Sequence, residues 1–69
     1  MNNIKENVSQ QLRKLRKAKK LTQKEIASKL NIDRSTYSYW ENAKTEPSIK
    51  YLIKLSKIYD VTIDDIIGN

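Results

Sequence analysis

The chain has 69 residues, 32% of them charged, a net charge of +6, and neither cysteine nor histidine. That length allows one small domain. The missing thiols and imidazoles exclude disulfide staples, thiolate metal sites, and the commonest general base and metal ligand, so no catalysis, metal or cofactor is expected.

The charge is uneven. Residues 1–44 hold 11 Lys and Arg against 4 Asp and Glu, whereas residues 45–69 hold 3 against 4. One side of the molecule is therefore expected to face an anion, with nucleic acid the first candidate and a merely solvated basic face the alternative. Met1 to Glu6 has no apolar core of the kind a signal peptide needs. No run approaches the roughly 20 apolar residues that cross a bilayer. The expected location is cytoplasmic, without a membrane partner.

Residues 1–5 read as a frayed arm. From Glu6 to about Lys19, the positions Val8, Leu12 and Leu15, with Ile4 ahead of them, recur at spacings of one helix face. The other faces become basic towards Lys20, which suits the negative end of a helix dipole. A basic amphipathic helix can also lie on a membrane, but this apolar face is narrow and carries no aromatic residue.

Thr22 and Glu25 form a T-x-x-E capping box for a helix over Gln23 to Leu30, with Leu21 placed to pack on Ile26. Ile26, Ala27 and Leu30 point inward, and the small Ala27 lets a neighbouring helix approach. Asn31 sits where the chain must turn, and asparagine tolerates the left-handed conformation. Asp33 is the expected N-cap of the next helix. There Tyr37, Trp40 and Glu41 share one face, and Arg34, Ser35, Ser38, Tyr39 and Asn42 share the opposite one. The apolar members mark the buried side. The outward set can donate and accept hydrogen bonds at base edges or phosphates.

After a loop ending at Pro47, Ser48 opens a helix that runs to about Tyr59. Its expected stripe is Leu52, Leu55, Ser56 and Tyr59, with Ile49 at the start. Thr62 and Asp65 form a second capping pair, Asp64 and Asp65 lie at the positive end of a last helix, and Ile63, Ile66 and Ile67 give its apolar side. Five helices and no strands are expected: an all-α fold.

The series L-R-K-x-x-x-L-T-Q-x-x-x-A-x-x-L, a turn, R-S-T-x-S-x-W-E-N-x-K, and then P-S with two further helices resembles the Cro/C1-type (lambda-repressor-like, XRE) helix-turn-helix family over residues 8–67. The resemblance implies a compact five-helix domain over residues 1–69, with the helix-turn-helix at about 22–41. It implies that the second helix crosses a DNA backbone and the third lies in the major groove. Arg34, Ser35, Ser38 and Tyr39 match the family's base-reading positions. Thr22, Gln23, Asn42, Lys44 and Thr45 match positions that meet the DNA backbone, with Arg13, Lys17 and Lys19 as electrostatic candidates. Arg16 and Glu41 match the family's structural ion pair. Two departures stand out: Asn31 replaces the usual turn glycine, and Ala43 replaces a glycine common after E-N.

The implied function is a sequence-specific, cofactor-free regulator of transcription, most simply a repressor. It would bind double-stranded DNA as a homodimer on a two-fold operator, because one short helix reads few base pairs. Ile53, Ile58, Ile63 and Ile67 are the candidate dimer interface. The alternative is a protein-interaction module of the same fold, such as an antitoxin, with a toxin or anti-repressor as partner and DNA binding secondary.

Overall fold

The computed structural model describes residues 3–68. Its helices are α1 (Ile4–Ala18), α2 (Gln23–Leu30), α3 (Arg34–Glu41), α4 (Ile49–Tyr59) and α5 (Ile63–Ile67), with no strand among the described residues.

Capping chemistry sets most of these boundaries. At α2 and α5 both halves of the capping box form: Thr22 accepts from the Glu25 amide while Glu25 accepts from the Thr22 amide, and Thr62 and Asp65 do the same. Asp33 and Ser48 occupy the N-cap positions of α3 and α4 but make no side-chain capping bond. The frayed arm is corrected in part: Asn3 accepts from the Glu6 amide and starts α1 at Ile4. Met1 and Asn2, the rest of that arm, lie outside the described residues. Asn31 and Asp60 end α2 and α4 in the left-handed conformation at φ 58° and 55°.

Helix α1 packs against α3 and α5, α2 against α3 and α4, and α4 against α5. The core they enclose contains Val8, Leu12, Ile26, Ala27, Leu30, Tyr37, Trp40, Leu55, Tyr59 and Ile66. Burying these apolar side chains is the main force that holds such short helices, since helices this short are not stable alone. Tyr37 and Tyr59 are buried with their hydroxyls 2.9 Å apart, so one phenol donates to the other. Burial pushes both phenols to higher pKa, Tyr59 to about 12. Trp40 packs edge-on to Tyr37 and tilted against Tyr51.

The α4 stripe needs correction. Leu55 and Tyr59 are buried and Leu52 and Ser56 half-buried, but Ile49 is 73% exposed. In the same first turn Tyr51 and Leu52 pack against the core, so Ile49 lies on the side of α4 turned away from it. No helix among the described residues is long and apolar enough to cross a membrane.

Candidate nucleic-acid interface

Helix α3 is held from behind at two levels, and this decides what its front can offer. The first level is the Glu41 side chain, 1% exposed. Arg16 from α1 donates Nε to Glu41 Oε2 at 2.7 Å and Nη2 to Oε1 at 3.1 Å. Arg16 also donates Nη1 to the Leu21 carbonyl at 3.0 Å, so one guanidinium ties α1, the α1–α2 turn and α3 together. Burial alone would raise the Glu41 pKa. The hydrogen bonds it accepts, from Arg16 above all and from Gln23, help to outweigh it, and the carboxyl stays below its ordinary value. Arg16 is correspondingly raised by its bond to Glu41.

The second level is the Glu41 main-chain carbonyl, one of the acceptors left unpaired at the end of α3. It receives the Ser9 hydroxyl, together with Arg13 Nε at 3.0 Å and Arg13 Nη2 at 2.6 Å. Arg13 also reaches Asn42 Oδ1 at 3.5 Å. A cation on a helix C-terminus is favourable there. Arg13, expected to serve the DNA backbone electrostatically, is exposed and makes these bonds within the protein. Ser9 is buried and carries no pattern in the sequence that would have marked it.

With its rear anchored, α3 exposes Arg34, Ser35 and Tyr39, and half-exposes Ser38. The Ser38 hydroxyl accepts from Asn42 Nδ2 at 3.2 Å, which leaves its own proton free to donate outward. Lys44 stands over the Tyr39 ring, Nζ 5.7 Å from the centroid. The Lys44 and Thr45 amides both turn back onto the Tyr39 carbonyl, at 2.9 and 3.5 Å. This turn passes through Ala43 at φ 59°, a left-handed position where a side chain is strained. Tyr39, Asn42, Lys44 and Thr45 thus border one edge of the exposed face.

Gln23 and Thr22 sit at the opposite end. Thr22 is exposed and spends its hydroxyl on the α2 cap. Gln23, at the first helical position of α2, is half-buried: its Nε2 donates to Glu41 Oε1 at 3.1 Å, and its Oε1 accepts from Arg34 Nη1 at 3.3 Å. The side chain expected to meet phosphate joins the buried carboxylate to the exposed arginine. Lys17 and Lys19 are exposed near the C-terminal end of α1.

Of the isoleucines assigned to a dimer interface, Ile53 is 42% exposed. Ile58 and Ile67 are half-buried against the core, and Ile63 is half-buried.

A family model described as "Helix-turn-helix" matches residues 12–66. The uncharacterized HTH-type transcriptional regulator YobD of Bacillus subtilis is 42% identical over 59 residues, covering 86% of this chain and 53% of its own length. Control protein C.MunI of a Mycoplasma species is 36% identical over 70 residues, covering 100% and 95%. The crystal structure of a transcriptional regulator from Listeria innocua superposes with a TM-score of 0.85 at 31% identity, over 90% of this chain and 58% of that one. The chain spans about half the length of YobD and of several other curated relatives.

Proposed function

This chain belongs to the Cro/C1-type helix-turn-helix family, and from that premise we propose that it is a sequence-specific DNA-binding regulator of transcription, acting as a repressor. The observation that carries the reading is the division of α3 into two faces. Tyr37, Trp40 and Glu41 are buried, while Arg34, Ser35, Ser38 and Tyr39 present donors, acceptors and a ring to solvent. Such a set suits base edges in a major groove. Thr22, Gln23, Asn42, Lys44 and Thr45 lie at the ends of that face, where the two DNA backbones would run, and Lys17 and Lys19 add positive charge.

On this reading residues 1–69 act as one DNA-binding unit. Affinity comes from phosphate neutralisation and falls steeply with salt, while preference comes from α3. Two copies occupy a two-fold operator, because one eight-residue helix spans too few base pairs alone. Repression needs nothing beyond occupancy of the operator.

Selection of bound sites from random duplex DNA tests the proposal. The expected result is a two-fold symmetric motif whose preference changes when Arg34 is replaced by alanine. Unchanged affinity and preference in Arg34→Ala would remove α3 from the reading role. A second reading, a protein-interaction module such as an antitoxin, is favoured by the exposed Ile49 and Ile53 on α4. Co-purification of a stoichiometric protein partner, with no sequence selected from the DNA pool, would favour it.

A further inference from the structure

The direction of the Asn42 amide is set by the cation beside it. Arg13 places Nε and Nη2 on the Glu41 carbonyl at 3.0 and 2.6 Å, which fixes its planar guanidinium at the end of α3. The same Nη2 reaches Asn42 Oδ1 at 3.5 Å. A guanidinium carries donors and no acceptor. Turning the Asn42 amide over would set its NH2 group against those donors and their positive charge. The oxygen therefore faces Arg13, and the NH2 group faces away.

The consequence appears one turn back on α3. Asn42 Nδ2 donates to Ser38 Oγ at 3.2 Å. A serine hydroxyl has one proton and two lone pairs, and by itself it reads donor and acceptor base edges alike. Here Asn42 takes a lone pair, and the proton is left to point outward from a half-exposed side chain. A donor left unpaired in a closed interface is costly. Ser38 thus suits acceptors, such as O6 and N7 of guanine or O4 of thymine, and not the N4 amino group of cytosine.

We propose that Asn42 is a positioning residue for Ser38, oriented by Arg13, and that it makes Ser38 discriminate against cytosine at one operator position. This rests on the DNA-reading role of α3 proposed above. The Asn42 side chain serves the reading face and not a phosphate, and Arg13 governs a base contact without touching DNA.

The test is site selection and competition binding with the full chain, using the wild type, Asn42→Asp, Ser38→Ala and the double variant. Asn42→Asp keeps the shape of the side chain and removes its donor. The Ser38 proton then turns inward to the new carboxylate, and the hydroxyl shows DNA only lone pairs. Asn42→Ala serves as a second variant, and thermal unfolding of each verifies folding. The wild type is expected to prefer guanine or thymine over cytosine by about fivefold at the position that Ser38→Ala flattens. Asn42→Ala is expected to lower that preference and Asn42→Asp to reverse it. The added negative charge weakens binding to every sequence, so the readout is the ratio between bases. In the Ser38→Ala background, Asn42→Asp is expected to leave that ratio unchanged, because its only route to the base is gone. A uniform loss of affinity with the wild-type preference intact would overturn the proposal and make the Asn42 side chain a phosphate contact. A Ser38→Ala variant that alters no position would overturn it too. A wild type that selects no sequence at all would overturn the DNA-reading function itself and this inference with it.

Discussion

Arg16 and Glu41 are joined by two hydrogen bonds, Nε to Oε2 at 2.7 Å and Nη2 to Oε1 at 3.1 Å, across the junction of α1 with the end of α3. Because Glu41 is almost wholly inaccessible, the pair differs from a surface salt bridge: removing one member strands the other. Arg16→Met is expected to cost about 3 kcal/mol in urea unfolding.

The same pair predicts a pH dependence. The folded-state pKa of Glu41 is depressed, so the unfolded chain takes up its proton at a higher pH than the folded one. Its contribution to stability is complete above the ordinary value of 4.5 and is lost as pH falls through the folded value. In Arg16→Met, burial dominates and raises the Glu41 pKa, so the variant's loss of stability relative to the wild type is expected to shrink as pH falls and Glu41 takes up its proton. Urea midpoints of both proteins measured between pH 7 and pH 3 check the sign. A difference that stayed constant over that range would show that the pair is not its cause.

Arg13 is expected to behave as a helix cap more than as a DNA ligand. Its two bonds to the Glu41 carbonyl terminate α3. Arg13→Ala should lower stability by about 1.5 kcal/mol, the low end of the scale for hydrogen bonds to charged groups, because the side chain is exposed. It should leave the slope of log affinity against log salt unchanged. A slope reduced by about 1, with unchanged stability, would instead make it a phosphate contact.

Ala43 sits at φ 59°, where the family resemblance places a glycine. Ala43→Gly is expected to stabilise the fold by up to about 1 kcal/mol, the relief of left-handed strain exceeding the added freedom of the unfolded chain. Thermal unfolding with an unchanged or lowered midpoint would show that the turn is not strained. DNA preference should be unaffected, since no reading side chain changes.

The isoleucines of the C-terminal half should separate by experiment. Ile53→Ser is expected to weaken self-association in analytical ultracentrifugation while leaving monomer stability within about 0.5 kcal/mol, as for an exposed position. Ile67→Ala, at a residue packed on the core, should cost about 2 kcal/mol of monomer stability. A wild type that stays monomeric on a palindromic site would remove the dimer from the proposed function.

The helices themselves are legible in the chain because their signals are local. The T-x-x-E and T-x-x-D boxes, Asn31 at the turn, and apolar spacings of three and four each act within a few residues, and the structure uses them where they stand. The amphipathic logic of α3, with Tyr37, Trp40 and Glu41 inward, belongs to the same class. What only the tertiary structure decides is how side chains far apart in sequence share hydrogen bonds. Ser9 and Arg13 are 32 and 28 residues from the carbonyl they cap, and Gln23 is 18 residues from the carboxylate it donates to. No periodicity encodes such a meeting, because it depends on the angle at which α1 and α2 cross α3. Ile49 makes the same point in reverse: its spacing fits the apolar stripe, yet it is 73% exposed while Tyr51 and Leu52 of the same turn pack against the core. Sequence determines each helix and the chemistry of its faces; packing determines which of those groups remain free to meet a partner.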